Sequence, residues 1–202
     1  DVELTTKDVF TYSAQDRLLT QTHQIIKGTY TGPIELIASN TYDQLGQLIS
    51  KKTGNTQAVP TQKIDYTYNI RGWLTGINNM ANLQQGTDPK DLFAFRLSYN
   101  TTPTNISGVS ALYNGNIAET AWKTNSDLGA ATRGYGYQYD NLNRLTNAVS
   151  QKNSAVNNTY NELLSYDKNG NIMSLQRNGT SDAAATAIDN LVYSYGSANS
   201  TN

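Results

Sequence analysis

The chain has no cysteine and a single histidine, His23. That excludes a disulfide framework, any thiolate metal site, and a zinc site needing a second imidazole. It suits an exported bacterial protein that does without oxidative stapling. Neither sign of charge dominates, with 15 Lys plus Arg against 16 Asp plus Glu, so no basic footprint for nucleic acid exists. No run of 18 apolar residues is present, which excludes a membrane-spanning helix. Position 1 is Asp, with no charged region and apolar stretch after it. A removed signal peptide or a piece of something longer is therefore expected. Phenylalanine is scarce, 3 residues against 14 tyrosines. Tyrosine covers a sheet face while its hydroxyl stays wet or finds an acceptor. The composition thus points to an extended β structure of modest thickness, in 202 residues that suit one domain or a section of a repeat array.

What the chain does have is a repeat. The last tyrosine before each turn falls at Tyr42, Tyr68, Tyr139, Tyr166 and Tyr195, with weaker copies at Tyr12 and Tyr113. The pattern after it is Asp or Asn, two variable residues, Gly or Asn, one variable residue, then Leu or Ile. "YDQLGQL", "YNIRGWL", "YDNLNRL" and "YDKNGNI" obey it. Alternations such as Tyr66-Thr67-Tyr68 and Tyr137-Gln138-Tyr139 have the two-residue period of a strand. Asp43, Asn69, Asp140 and Asp167 stand where a turn wants a short side chain that accepts an amide hydrogen bond. Gly46, Gly72 and Gly170 stand where a positive φ is needed, and Asn143 is the next best choice. Leu48, Leu74, Leu145 and Ile172 start the returning strands. Each unit reads as a β-hairpin with a bulged or four-residue turn, marginal alone and stabilised by stacking on its neighbours. The expected fold class is all-β, with antiparallel hairpins around 10–25, 40–53, 64–79, 93–122, 135–151, 163–177 and 191–202 forming a long curved sheet.

Three stretches interrupt the pattern. Residues 51–63, "KKTGNTQAVPTQK", read as a polar connection. Residues 78–100 are the longest interruption. There Asp88–Pro89 is placed to open a short helix, and the alternation of Phe93, Phe95, Leu97 and Tyr99 marks a strand from near Leu92. Residues 178–191 read as a turn of helix at the alanines or as a flexible outer loop before a strand at Val192–Tyr195.

The units "YTYNIRGWLTGIN", "YQYDNLNRLTNA" and "SYDKNGNIMSLQ" resemble the tyrosine-aspartate (YD) repeats of the RHS family. The middle segment, through "DLFAFRLSYN", "ALYNGNIAETAWKTN" and "RGYGYQYDNLNRLTNA", is similar to the variety found in large secreted proteins of Bacteroidetes. The resemblance covers nearly the whole chain, with departures at Ser13 after Tyr12, at the shortened Tyr113–Ile117 turn, and at Asn143. It implies a strip of sheet that spirals into a hollow shell, secreted or at the cell surface, which in bacterial toxins encloses a C-terminal effector. Related repeats build the shell of the animal teneurins, which act in cell-surface adhesion. Partners implied are the rest of the shell, the enclosed effector, and export machinery or a cell-surface glycan or protein. Family toxins carry a core region that plugs the shell and cleaves off the effector, with aspartates near a motif containing proline and glycine. Asp88–Pro89, followed by Lys90-Asp91-Leu92, reads instead as ordinary middle segment, so that region is expected outside these residues.

No constellation for chemistry emerges. His23 lacks a nucleophile motif beside it. Asp43, Asp140 and Asp167 each have a turn to stabilise, whereas a glycosidase needs two carboxyls facing one bond. "DKNGN" lacks the alternating ligands and closing Glu of a calcium loop. No catalytic residue, cofactor or metal is expected. Trp73 and Trp122 are the candidates for a binding surface, with packing on the sheet as the alternative.

Overall fold

The computed structural model describes residues 3–127, 129 and 131–195. Among these there are fifteen strands and no helix. The strands are β1 (Leu4–Tyr12), β2 (Leu18–Lys27), β3 (Tyr30–Thr31), β4 (Glu35–Tyr42), β5 (Leu48–Asn55), β6 (Pro60–Tyr68), β7 (Leu74–Ile77), β8 (Phe93–Ser98), β9 (Glu119–Thr124), β10 (Arg133–Tyr139), β11 (Leu145–Lys152), β12 (Ala155–Val156), β13 (Glu162–Tyr166), β14 (Ile172–Thr180) and β15 (Ala185–Val192). They form one open antiparallel sheet in sequence order, with β3 and β12 as short side pieces on β2 and β11. Strand follows neighbouring strand throughout because every connection is a hairpin or a return to the adjacent edge.

The chain divides into two compact units, Asp1–Phe95 with Thr124–Ser126, and Arg96–Lys123 with Asp127–Asn202. In the first, the buried apolar residues are Leu36, Ala38, Leu83 and Ala94. In the second they are Ile106, Ala118, Ala121, Ala131, Ala148 and Val149, mostly alanine. The largest fully buried side chain is Glu119, not a hydrophobe. Small residues suit a sheet whose cover lies close to the backbone, and they leave each unit with little aliphatic volume.

Three sequence expectations are corrected. Residues 51–63 are not a connection. β5 runs to Asn55 and β6 starts at Pro60, with Asn55 opposite Pro60 and only residues 56–59 between them. Proline fits there because the first residue of a strand tolerates a missing N–H. Asp88–Pro89 opens no helix. The chain turns at Gly86–Thr87, and the Asp88 carboxylate is held by Lys63 Nζ at 2.8 Å. Residues 178–191 are neither helical nor an outer loop. β14 extends to Thr180 and β15 begins at Ala185, so the strand expected at Val192–Tyr195 ends at Val192 instead. The pairing of Arg177 with Asp189 sets that register, with Arg177 Nε 2.7 Å from Asp189 Oδ2. A charge pair formed only across the sheet leaves no mark in the local pattern. The hairpin expected around 191–202 lies outside the described residues beyond Tyr195.

Candidate functional site

The four regular turns share one backbone. In each, the residue after the tyrosine donates its N–H to a carbonyl four residues on: Asp43 to Gln47, Asn69 to Trp73, Asp140 to Arg144 and Asp167 to Asn171. The amide of Gly46, Gly72, Asn143 or Gly170 returns to the carbonyl of that same first residue. These four have φ between 62° and 91°, which is why glycine or asparagine occupies the position. The strand register slips at each preceding tyrosine, so Tyr42, Tyr68, Tyr139 and Tyr166 pair with Leu48, Leu74, Leu145 and Ile172. This is a type I turn closed by a bulge. The turn side chain then accepts main-chain amides: Asp43 Oδ1 from Gln47, Asn69 Oδ1 from Arg71 and Trp73, Asp140 Oδ1 from Leu142 and Arg144, and Asp167 Oδ1 from Asn169 and Asn171. The Arg144 amide, with its guanidinium, holds the Asp140 carboxyl below the usual carboxylate range. The Asn171 carboxamide, with the turn amides, does the same for Asp167. Both carboxylates are committed to their own loops.

The copy at Tyr12 makes the same turn from different residues. Ser13 Oγ accepts the amides of Gln15 and Arg17, and Asp16 takes the positive φ at 57°. The copy at Tyr113 keeps only its second half. No strand precedes Tyr113, which is exposed, but Asn114 Oδ1 accepts the Asn116 amide and the chain continues through Ile117. Asn143 owes its identity to this segment. Its Oδ1 accepts from Asn114 Nδ2 at 2.7 Å and Asn116 Nδ2 at 3.3 Å, a contact that glycine could not make.

What joins one hairpin to the next is the tyrosine hydroxyl. Tyr42 Oη donates to the Leu18 carbonyl at 3.0 Å, and Tyr68 to Leu48 at 2.9 Å. Tyr139 donates to Ile117 at 2.9 Å, Tyr166 to Leu145 at 2.7 Å, and Tyr195 to Ile172 at 2.9 Å. Each acceptor is the aliphatic residue that follows the preceding turn, first in its strand except for Ile117, which lies two residues before β9. The ladder explains tyrosine over phenylalanine at the anchor, a reason the alternation pattern alone does not contain. The residue before that aliphatic residue reaches forward too. The Arg17 guanidinium lies over the Tyr42 ring and Arg144 over Tyr166, at 5.8 and 4.6 Å from the ring centroids.

The two tryptophans differ. Trp73 is half-buried beneath the Arg71 guanidinium, 5.3 Å from its ring centroid. Trp122, also half-buried, is 5.9 Å from the Tyr135 ring. It lines a pocket of about 260 Å³ with Arg133, Gly134, Tyr135, Ser150, Gln151, Asn157 and Tyr160. Register places Trp122 opposite Arg133, and Thr120 and Ser150 opposite Tyr135, so one face of the sheet carries them all. Residues 153–161 fold against this face through Ser150, whose Oγ binds Asn157 Oδ1 and Asn161 Oδ1 and accepts the Tyr160 amide. Arg133 is neutralised by Asp182 and Asp127, and Lys152 shares Asp182. The Asp182 carboxylate raises the Arg133 guanidinium further, and Arg133 holds Asp182 far below the carboxylate range. Burial pushes the Tyr135 hydroxyl up, with the nearby Glu162 charge adding to it.

On the opposite face Gly134 and Gly136 replace side chains with backbone. A Cβ on Gly134 would sit 2.3 Å from the Thr120 carbonyl oxygen, and one on Gly136 2.7 Å from Ile106 Cδ1 and Val109 Cγ2. Sequence reasoning passed over these two. Their signal was present, since two glycines two apart on one strand mark a face that other groups approach closely, here backbone at Gly134 and side chains at Gly136. Glu119, which faces Gly136, was also missed. Its carboxylate accepts the Thr104 hydroxyl at 2.7 Å and the Thr104 amide at 3.2 and 3.3 Å.

Other titratable groups are placed structurally. His23 sits opposite Asp8 on β1, Nδ1 to Oδ1 3.1 Å. Asp91 is buried beside Asp65 and Asp88, and burial with those charges raises its carboxyl to about 6. Among the described residues no group of three His, Cys, Asp or Glu side chains could hold a metal, and no helix is long and apolar enough to cross a membrane. No family model and no curated protein matches the chain.

Proposed function

We propose that this chain is a structural segment of a large secreted, RHS-type repeat protein, in which its hairpins help to enclose a C-terminal toxin or effector and perform no reaction. One observation carries the reading. The recurrent residues of the chain are consumed by making turns and by joining hairpin to hairpin: Asp140 and Asp167 by amides of their own loops, Tyr139 and Tyr166 by carbonyls of the preceding units. A catalytic site departs from local rules, and a repeat that satisfies itself does not. The test pairs the full-length parent and its separate C-terminal domain, the parent with and without residues 137–163. Deletion is expected to alter containment while the isolated domain keeps its turnover. Hydrolysis of glycans or peptides by the 202-residue chain itself would overturn the scaffold reading.

A second reading, a cell-surface or glycan-binding module, is favoured by the pocket at Trp122. An indole and two phenol rings beside the Asn157 carboxamide suit a sugar ring, whose apolar face stacks while its hydroxyls hydrogen-bond. In a Trp73→Phe variant the emission reports Trp122 alone. Saturable quenching by an oligosaccharide would support this reading, and a flat titration across a panel would remove it.

A further inference from the structure

The pocket at Trp122 holds two sets of polar groups. One set is committed inside the protein. Ser150 Oγ binds Asn157 Oδ1 and Asn161 Oδ1 and accepts the Tyr160 amide. Arg133, which lines the pocket, meets Asp127 through Nε at 2.9 Å and Asp182 through Nη1. Lys152 Nζ shares Asp182 at 2.9 Å. Two cations thus face two carboxylates, and no positive charge is left for a ligand. The other set is free. Among the described residues no protein group bonds Trp122 Nε1, Asn157 Nδ2, or the hydroxyls of Tyr135 and Tyr160. The first two can only donate, and the oxygen of the Asn157 carboxamide is already taken by Ser150. Trp122 and Tyr135, ring centroids 5.9 Å apart, supply an apolar wall beside them.

We propose that this pocket takes an uncharged N-acetylated amino sugar, its acetamido carbonyl accepting from Asn157 Nδ2 and its methyl packed on the aromatic wall, and that Asp182 keeps acidic sugars out by holding Arg133 and Lys152. The inference rests on the glycan-binding reading and narrows it to one class of sugar. An acetamido group matches what the pocket leaves open, because it joins a strong acceptor to an apolar methyl. A plain hydroxyl in its place brings no methyl. A carboxylate accepts as well, but it would have to leave water for an aromatic wall with no unpaired cation to meet it. Asp182 is the specificity-determining residue by position. It stands in the turn between β14 and β15, 49 residues from Arg133 in sequence, and touches the pocket only through the two cations it holds.

The test uses the full chain carrying Trp73→Phe, with Trp122 emission as the readout. Three trisaccharides are titrated: chitotriose, cellotriose, which differs from it by a hydroxyl in place of each acetamido group, and trigalacturonate. Chitotriose is expected to bind at least fivefold more tightly than cellotriose, and trigalacturonate not at all. Asn157→Asp keeps the oxygen that Ser150 uses and removes the amide donor, so it is expected to erase the preference for chitotriose. Asp182→Asn releases positive charge at Arg133 and Lys152, and is expected to bring in trigalacturonate binding that weakens as salt is raised. A gain of binding cannot come from a damaged fold. Equal affinity for chitotriose and cellotriose would overturn the proposal and leave the glycan reading standing. So would trigalacturonate binding by the chain with Asp182 intact, or its absence after Asp182→Asn. Silence of all three saccharides with every variant would remove the glycan reading itself.

Discussion

At Asp167–Gly170 the chain reverses with its own backbone and one carboxylate, and nothing lies closer than 3.9 Å to where a glycine Cβ would be. Between Tyr99 and Ala118 it covers a longer path with no strand, held by contacts from elsewhere in the same unit: the Glu119 carboxylate under Thr104, Ile106 and Val109 against Gly136, and Asn143 on Asn114. Residues 78–92 in the other unit are held in the same borrowed way. Gln62 binds the Lys90 carbonyl and the Leu92 amide, and Lys63 binds Asp88. The comparison teaches that repetition is local here and irregularity is tertiary. A turn's backbone is specified chiefly by the residues it contains, and the irregular segments by groups elsewhere in the same unit that lie against them.

The sharpest way to break that comparison is Gly134→Val. The new side chain meets the Thr120 carbonyl, which belongs to a paired strand and cannot rotate away, so a loss of about 3 kcal/mol or more is expected in chemical denaturation. A loss under about 1 kcal/mol would mean that the close approach of backbone is not required. Next comes a pair of turn glycines. Gly170→Val should cost about 1–3 kcal/mol through its positive φ alone. Gly46→Val should cost somewhat more, because besides meeting the same positive φ it displaces the Arg17 guanidinium from over the Tyr42 ring. Identical losses would show that the forward reach of Arg17 contributes nothing. The last is Asp91→Asn, whose effect is stabilising and vanishes at low pH. The folded state raises the Asp91 carboxyl to about 6, so folding favours the protonated form. As pH rises above the ordinary carboxylate range the charged form costs stability, fully so above 6. Removing the charge should therefore stabilise the protein by about 1–3 kcal/mol at pH 8 and leave it unchanged below pH 4. Urea midpoints at the two pH values would decide it, and an equal shift at both would remove the electrostatic cause.

The sequence by itself determined the hairpins. Two-residue alternation, a short acceptor after Tyr42, Tyr68, Tyr139 and Tyr166, and a residue tolerant of positive φ three places later act within a few bonds of each other, so their meaning is visible in order along the chain. It also determined that no long helix forms among the described residues. Only the tertiary structure decided that residues 51–63 and 178–191 belong to paired strands joined by short turns, because their stability comes from partners such as Gln62 opposite Thr53 and Asp189 opposite Arg177. It alone decided that the tyrosine hydroxyls reach back to Leu18, Leu48, Ile117, Leu145 and Ile172, that Trp122 lies in a pocket while Trp73 lies under Arg71, and that Glu119 is buried. Each of those depends on which residues become neighbours across the sheet, and strand register, not local spacing, sets those neighbours.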